Sequence, residues 1–387
     1  MLIRAPRQKG TRGPALALVF GVLNVSTRSA ARAITEGNRR RGELLPCFFE
    51  QVTFFKSSSK MTKGKKWVLE KHFEGLPKRT DVKIVNFELP SIKNGSVLLE
   101  AVYLSVDPYM RPYAALLHEG GTMMGEQIAR VIESKNADFP VGTNVLVNAG
   151  WVTHCVSDGK DLTKISPYPE GIPLSLALGT LGMPGMTANC GLVDICEAKA
   201  GEVVVVSGAA GAVGNVVGQI GKIKGCKVIG FAGSDAKVTW LKELGFDEAF
   251  NYKTVKDLDA TLKSVAPNGI NCFFDNVGGE FSSIVLNNMA RYGRIACCGA
   301  ISTYNNTKPP MLRAFHGAVI RNEIKVQGFV IYSHRDRFPD WAQQHIQWIL
   351  QGKLRYKEHV TNGFDNMFDA FVGLFSGANT GKAVVQV

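Results

Sequence analysis

The feature that most constrains this 387-residue chain is the run Ser207-Gly208-Ala209-Ala210-Gly211-Ala212-Val213-Gly214. It lies between the apolar stretch Glu202–Ser207 (EVVVVS) and a segment with helical spacing. In that context a glycine-rich turn lets the backbone approach a pyrophosphate, whose charge then rests on the positive end of the following helix. Gly211 gives the close approach and Gly214 lets the helix pack on the strand, with Ala212 and Val213 between them. Ala209 stands where the strict G-x-G-x-x-G spacing has its first glycine. Along the helix, Val213, Val217, Ile220 and Lys224 share one side, and Gly214, Gly218 and Gly221 form a small-residue stripe suited to close approach. The same glycines would also serve a tight turn and a packed helix with no ligand. The strand that follows, and the residues at its tip, favour a dinucleotide site.

The rest of the chain divides by rhythm. From Trp67 to about Val156, short alternating segments such as Lys83–Glu88, Ser96–Asp107 and Thr143–Asn148 are separated by turns at Gly95, Pro108, Pro140, Gly142 and Gly150. This pattern predicts a twisted antiparallel β domain. Beyond Pro173, apolar strands at Glu202–Ser207, Lys227–Phe231, Asn271–Val277 and Arg294–Cys298 alternate with helices such as Lys237–Leu244 and Phe281–Met289. Continuously apolar strands between helices predict a doubly wound parallel sheet, and the fold class is α/β. The final segment, Lys382–Val387, reads as a strand that needs a sheet to join, most naturally in the first domain.

The tip of the second parallel strand discriminates between dinucleotides. A site for the non-phosphorylated cofactor carries an acid there for the ribose 2′-hydroxyl. This chain has Gly230-Phe231-Ala232-Gly233-Ser234-Asp235-Ala236-Lys237. Ser234 can hydrogen-bond a 2′-phosphate and Lys237 can neutralise it, which predicts NADPH. Asp235 reads as the cap of a helix beginning near Ala236.

Charge and cysteine usage narrow the remaining classes. The net charge of +12 is concentrated in residues 1–60, where 11 Lys+Arg face 3 Asp+Glu; the other 327 residues hold 34 against 30. With no nucleic-acid-binding motif beside it, that distribution argues against a nucleic-acid partner. The cysteines at 47, 155, 190, 196, 226, 272, 297 and 298 form no C-x-x-C pair, so they read as buried thiols of a reducing compartment. Cys297 and Cys298, adjacent on a strand, should face opposite ways. Between Met61 and Gly182 the only Cys or His residues are His72, His118, His154 and Cys155, which make no zinc ligand set, so no metal is expected. No apolar run reaches the ~18–20 residues of a membrane span. Residues 1–60 lie outside the fold argument and have three readings: a secretory signal around Ala15 to Val25, an Arg-rich transit peptide with Glu36 the only acid in residues 1–42, or translation from Met61. The third is adopted, which makes the protein cytoplasmic; a transit peptide would make it mitochondrial.

From about Met61 to Val387 the chain resembles the prostaglandin reductase group of zinc-independent medium-chain dehydrogenase/reductases, also described as leukotriene hydroxydehydrogenases. The resemblance rests on Val106-Asp107-Pro108-Tyr109-Met110-Arg111, Met123-Met124-Gly125, and Leu178-Gly179-Thr180-Leu181-Gly182-Met183-Pro184-Gly185-Met186-Thr187-Ala188. It rests equally on Ala209-Ala210-Gly211-Ala212-Val213-Gly214, Phe274-Asp275-Asn276-Val277-Gly278-Gly279, and Cys298-Gly299-Ala300-Ile301-Ser302-Thr303-Tyr304-Asn305. It implies a homodimer and a GroES-like catalytic domain (residues 61–183 and 356–387) with a Rossmann domain (184–355) inserted. It also implies NADP contacts at Gly211 to Gly214, Lys237, Tyr252, Asn276, Cys298 to Tyr304 (Cys298, Gly299, Ala300, Ile301, Ser302, Thr303, Tyr304), Phe329, Val330, Ile331 and Asn379. Independently, Tyr252 follows a third-strand candidate and can reach the adenosine phosphate, and Asn276 ends the fourth strand. Asn379, beside Gly377 and Gly381, reads equally as turn geometry. One departure is Arg321, which stands where several relatives carry a tyrosine proposed to bind the substrate carbonyl. An arginine there would stabilise an enolate and favour more anionic substrates, or it is an exposed helix-end charge.

The implied reaction is NADPH-dependent reduction of the carbon–carbon double bond of α,β-unsaturated ketones and aldehydes, such as 15-oxoprostaglandins and lipid-derived enals. The reverse-sense oxidation of a leukotriene 12-hydroxyl is implied as well. Without a metal, hydrogen-bond donors must stabilise the developing enolate. Tyr304, on the loop after the fifth strand, and Tyr109 are candidates beside the nicotinamide ribose hydroxyl, and tyrosine or water would return the proton. Tyr109 also reads as a packing residue. Two rivals remain: a zinc-independent NADPH quinone reductase, and a dinucleotide-binding structural or RNA-associated protein.

Overall fold

A computed structural model describes residues 62–387. The leader readings and Cys47 lie outside the described residues.

The N-terminal part is antiparallel. Strands β1 (Lys63–Leu69) and β2 (Val82–Glu88) pair as a two-stranded ribbon, with Trp67 opposite Ile84. A second sheet contains β3 (Val97–Ser105), β4 (Gln127–Ser134), β5 (Asn144–Val147), β6 (His154–Ser157) and β7 (Thr163–Lys164). Aromatic side chains fill the space beneath: Trp151 meets Trp67 and Phe371 edge-on, at centroid distances of 6.3 and 5.7 Å. Phe368 and Phe371 come from the late helix Met367–Ser376, so the far end of the chain completes this core. Each such buried aromatic stabilises the fold by about 1.5–3 kcal/mol.

The second part is a parallel sheet of β8 (Val203–Val206), β9 (Lys227–Ala232), β10 (Glu248–Asn251), β11 (Ile270–Asp275), β12 (Met289–Cys297) and β13 (Lys325–Gly328). Its spatial order is β10-β9-β8-β11-β12-β13, the doubly wound arrangement in which chain direction across the sheet reverses between β8 and β11. The apolar strands are buried on both faces. Val204 and Val206 join the core under the helices Met183–Asn189, Gly214–Ile223, Asp235–Glu243 and Phe338–Leu350. Val205 joins the opposite core, under Leu258–Val265, Gly279–Asn287 and His316–Arg321. Cys297 and Cys298 pack against these two opposite cores, as strand alternation requires. The glycine stripe also has its explanation, since a Cβ on Gly218 would fall 1.8 Å from the Phe246 ring. Several boundaries differ from expectation. The helix expected over Phe281–Met289 is Gly279–Asn287, and β12 starts at Met289 rather than Arg294 because Met289 already pairs with Ile270.

The chain then returns. Strands β14 (Glu358–Asn362) and β15 (Lys382–Gln386) pair in parallel, and β15 adds antiparallel to β3, so the terminal strand joins the first domain's sheet. The join is locked by a buried ion pair. Lys382 Nζ donates to Asp107 Oδ1 at 2.6 Å, Ser105 Oγ at 2.7 Å and the Val106 carbonyl at 3.0 Å. All three ammonium protons are therefore satisfied, the condition under which a buried charge is tolerated. Where the helix Phe338–Leu350 meets the segment around Met183–Asn189, buried His345 binds the Thr180 carbonyl through Nδ1 at 2.8 Å and faces the Asn189 amide through Nε2. Burial holds this imidazole neutral, with its pKa lowered to about 4.

Candidate functional site

The segments singled out in the sequence follow the six parallel strands one by one, all at the same sheet edge. Gly211–Gly214 follow β8, Ser234 and Lys237 follow β9, and Tyr252 follows β10. Asn276 follows β11, Cys298–Tyr304 follow β12, and Phe329–Ile331 follow β13. In an open parallel sheet the crevice for a ligand lies at this edge, where the strand order reverses.

At the reversal point the loop after β8 is built from backbone. Gly208 takes φ +58°, a left-handed conformation, so the turn falls on Gly208 rather than on the Ala209 position of the strict pattern. A Cβ on Gly214 would sit 2.5 Å from the Gly208 carbonyl oxygen, so this position must stay bare for the loop to close. Asn215 Nδ2 donates to the Gly211 and Ala212 carbonyls at 2.6 and 3.2 Å. The N–H groups of Ala212 and Val213 find no acceptor among the described residues, and they precede the ten-residue helix Gly214–Ile223. Unfilled donors at a helix start, with their own carbonyls tied back, suit a pyrophosphate.

The tips of β9 and β10 carry the residues expected at the adenosine end. Ser234, not Asp235, is the N-cap of the helix: the helix begins at Asp235, one residue earlier than expected, and Ser234 Oγ accepts the Lys237 N–H at 3.4 Å. The Asp235 carboxylate accepts from Asn251 Nδ2 at 2.8 Å instead. Lys237 Nζ donates to the Gly377 carbonyl at 2.8 Å. Burial lowers the Lys237 pKa, the Lys253 ammonium lowers it further, and neither lysine forms an ion pair among the described residues. Tyr252 is half exposed, its hydroxyl lying against Gly233. Lys253 was not singled out in the sequence; its position directly after Tyr252 was the available signal.

Toward the other end, the loops after β11 and β12 are stitched together. Asn276 donates from its N–H to Ser207 Oγ at 2.9 Å and from Nδ2 to the Ser207 carbonyl at 2.7 Å. Cys298 and Gly299 donate to the Asp275 carbonyl, Ile301 to that of Asn276 and Ser302 to that of Val277. Tyr304 folds back so that its hydroxyl accepts the Ala300 N–H at 3.1 Å, leaving its own proton to donate elsewhere. Burial raises the Tyr304 pKa, which keeps that proton in place. Phe329 packs edge-on against Phe274 at 6.3 Å, Val330 is exposed and Ile331 is buried. Asn379 Nδ2 donates to the Gly381 carbonyl at 2.8 Å within its turn, and the Gly381 N–H donates to Ala210 in the glycine-rich loop at 2.8 Å.

Tyr109 is half-buried, packs edge-on against Tyr113 at 5.9 Å and faces the Tyr332 hydroxyl. Burial first, and the Asp107 charge second, push its pKa far above the usual phenol range. Behind this pair stands Glu126, whose carboxyl is pushed up to about 7 by burial and by Asp107, against the pull of Lys382 and Arg335. Sequence reading missed Tyr332, Glu126 and Lys382. The one visible signal was a lysine at the start of an otherwise apolar strand. Arg321 is not brought to this group: it lies exposed in the last turn of His316–Arg321, its guanidinium over Gly317, with no hydrogen bond or ion pair among the described residues. It takes its place as a helix-end charge because the helix presents that turn to solvent.

The N-terminal domain of oxidoreductase family matches residues 65–165, and the zinc-binding dehydrogenase family matches residues 212–350. Among the described residues no three or more His, Cys, Asp or Glu side chains gather as a metal site. The chain is similar to prostaglandin reductase 1 of Bos taurus, with 55% identity over 328 residues covering 84% of this chain and 100% of that protein. It is similar to the NADP(+)-dependent 2-alkenal reductase of Nicotiana tabacum, with 41% identity over 84% of this chain and 97% of the relative. Among solved structures, CurA from Vibrio vulnificus in complex with NADPH matches at a TM-score of 0.78 and 39% identity, covering 84% of this chain and 99% of that one.

Proposed function

The chain belongs to the prostaglandin reductase group of the zinc-independent medium-chain dehydrogenase/reductases, and on that footing we propose that it is an NADPH-dependent reductase of α,β-unsaturated ketones and aldehydes. The observation that carries this reading is the set of unfilled N–H donors at Ala212 and Val213, facing the same sheet edge as the cationic pair Lys237 and Lys253. A phosphorylated dinucleotide offers anions for both. The chemistry it supplies when bound is a hydride for the β-carbon of the conjugated alkene.

The chain's own residues do the rest. The loop Gly208–Gly214 holds the pyrophosphate, and Ser234, Lys237 and Tyr252 hold the 2′-phosphate. As the double bond is reduced, negative charge develops on the carbonyl oxygen. The Tyr304 O–H, whose lone pair is already occupied by Ala300, is the donor for that oxygen. The α-carbon then takes a proton from tyrosine, with the Tyr109–Tyr332 pair beside Glu126 as the source within the protein, or from water.

The finer reading is a cytoplasmic enzyme acting on 15-oxoprostaglandins and lipid-derived enals, with oxidation of a leukotriene 12-hydroxyl as its reverse-sense activity. A homodimer is part of it. Supporting this, all four residues of the edge strand β13 are exposed, as are the apolar Met311, Ile320 and Val330. Among the described residues no helix is long and apolar enough to cross a membrane.

Steady-state NADPH oxidation across enones, enals and an ortho-quinone tests the assignment. Turnover with enones that survives chelators is expected. Turnover confined to the quinone would transfer the protein to the quinone reductases, and absence of NADPH binding by calorimetry would overturn the whole reading.

A further inference from the structure

Arg111 is 9% exposed, yet no carboxylate forms an ion pair with it among the described residues. Its donors go to neutral oxygens instead. Nη2 donates to the Phe73 and Gly75 carbonyls at 3.3 and 3.0 Å, and the guanidinium lies over the Phe73 ring at 5.4 Å. Nε donates at 3.1 Å to Oδ1 of Asn305, 194 residues away. Burial lowers the Arg111 pKa, against the pull of Asp81, so enclosing this cation has a cost that its hydrogen bonds must offset. Phe73, Gly75 and Arg111 belong to the antiparallel domain, and Asn305 is the residue after Tyr304 on the loop that follows β12. The Nε bond therefore crosses from one domain to the other.

What the bond secures follows from the rest of that loop. Its first half is already tied within the parallel-sheet domain, by the donations of Cys298, Gly299, Ile301 and Ser302 to residues Asp275, Asn276 and Val277. Its second half is held within the loop by the Ala300 N–H on the Tyr304 hydroxyl at 3.1 Å and by turns from Tyr304 to Ile301 at 3.5 Å and from Asn306 to Thr303 at 3.0 Å. Residues 306–314 beyond it are exposed. Among the described residues the Arg111–Asn305 hydrogen bond ties the loop's second half, the half that carries Tyr304, to the antiparallel part of the chain.

We propose that Arg111 is a positioning residue, reaching across the domain junction through Asn305 to hold the Tyr304 hydroxyl in its reactive place. The proposal rests on the enone reductase reading of Tyr304. A side chain that binds only through carbonyls and an amide can orient that loop without adding a negative charge near an oxygen that itself becomes negative. An aspartate at 305 would bind the guanidinium more strongly but would oppose the enolate.

The test combines Asn305→Ala, which removes only the bond between domains, with Arg111→Met and the double variant. Asn305→Ala is expected to lower enone kcat roughly tenfold, the worth of one charge-assisted hydrogen bond. The NADPH KM should stay within about twofold, because the anchored half of the loop is untouched. The double variant should be no slower than Arg111→Met alone, since the two groups act through one bond. Amide exchange over residues 303–306, read in the absence of substrate, should quicken in Asn305→Ala. Unchanged exchange, or single effects that multiply in the double variant, would overturn the proposal. If the wild type exchanges as expected but turns over no enone, the functional reading fails while the latch stands. Should Arg111→Met fail to fold, Asn305→Ala decides alone through its kcat and exchange.

Discussion

The proposed pyrophosphate end of the site is made of backbone from eight consecutive residues, Ser207 to Gly214, whereas the end near Tyr109 is made of side chains drawn from across the chain. Asp107, Tyr109, Glu126, Tyr332, Arg335 and Lys382 converge there only because β15 joins β3 and the segment after β13 reaches the first domain. The first end works by geometry, since bare backbone donors at a helix start need no tuning. The second works by environment, since burial decides which groups hold protons. The two ends should therefore fail differently when perturbed.

The largest effect belongs to the backbone end. Gly214→Val places a side chain where even a Cβ would stand 2.5 Å from the Gly208 carbonyl and 2.7 Å from the Ala209 Cα. The loop must open, and NADPH affinity should fall at least about a thousandfold, beyond detection by calorimetry. Circular dichroism would verify that the sheet survives. Gly211→Ala, whose Cβ would meet only the Gly208 oxygen at 3.2 Å, should do far less. Equal losses in the two would show that the loop is not closed by that contact.

The environmental end should answer to pH. The Glu126 carboxyl keeps its proton in the folded protein up to about 7, against an ordinary value of 4.5. Below pH 4.5 both folded and unfolded chains carry that proton, so stability is unaffected. As pH rises from 4.5 to 7 the unfolded chain releases it first and stability declines, then levels off above 7. Glu126→Gln keeps the shape and removes the titration. The variant should gain up to roughly 3 kcal/mol over the wild type between pH 4.5 and pH 8 in urea unfolding. A difference that does not vary with pH would mean that Lys382 and Arg335 outweigh burial and Asp107 and already hold the carboxylate ionised.

This division also explains what was legible in the sequence. The parallel sheet announced itself because its central strands β8, β9 and β11 are buried on both faces and so are largely apolar, and the glycine-rich loop because its constraints are local. Lys237 and Tyr252 could be named because each lies within a few residues of a strand tip. The Lys382–Asp107 pair spans 275 residues, and no periodicity links its members. The Tyr109–Tyr332 pairing is hidden for the same reason. Asp235 was misassigned as a cap because Ser and Asp are both good N-caps, and the choice was made by one residue of helix register. Arg321 could not be placed because whether a helix-end charge faces solvent or ligand depends on the packing of the helix that carries it.

Lys237 joins the two styles and gives the smallest of the three effects. It is a side chain at the backbone end, and its ammonium is already spent in part on the Gly377 carbonyl. Burial and Lys253 disfavour its charge, a situation that a 2′-phosphate reverses by giving both lysines a counter-ion. Lys237→Ala should therefore raise the KM for NADPH about thirtyfold, the worth of one charge-assisted bond partly shared with Lys253. The KM for NADH, which lacks that phosphate, should move less than about twofold. Added salt should narrow the gap between wild type and variant, because the interaction lies near the surface. If the two cofactors suffer alike, the lysine acts through Gly377 and the turn that carries Asn379, and the tips of β9 and β10 do not read the phosphate.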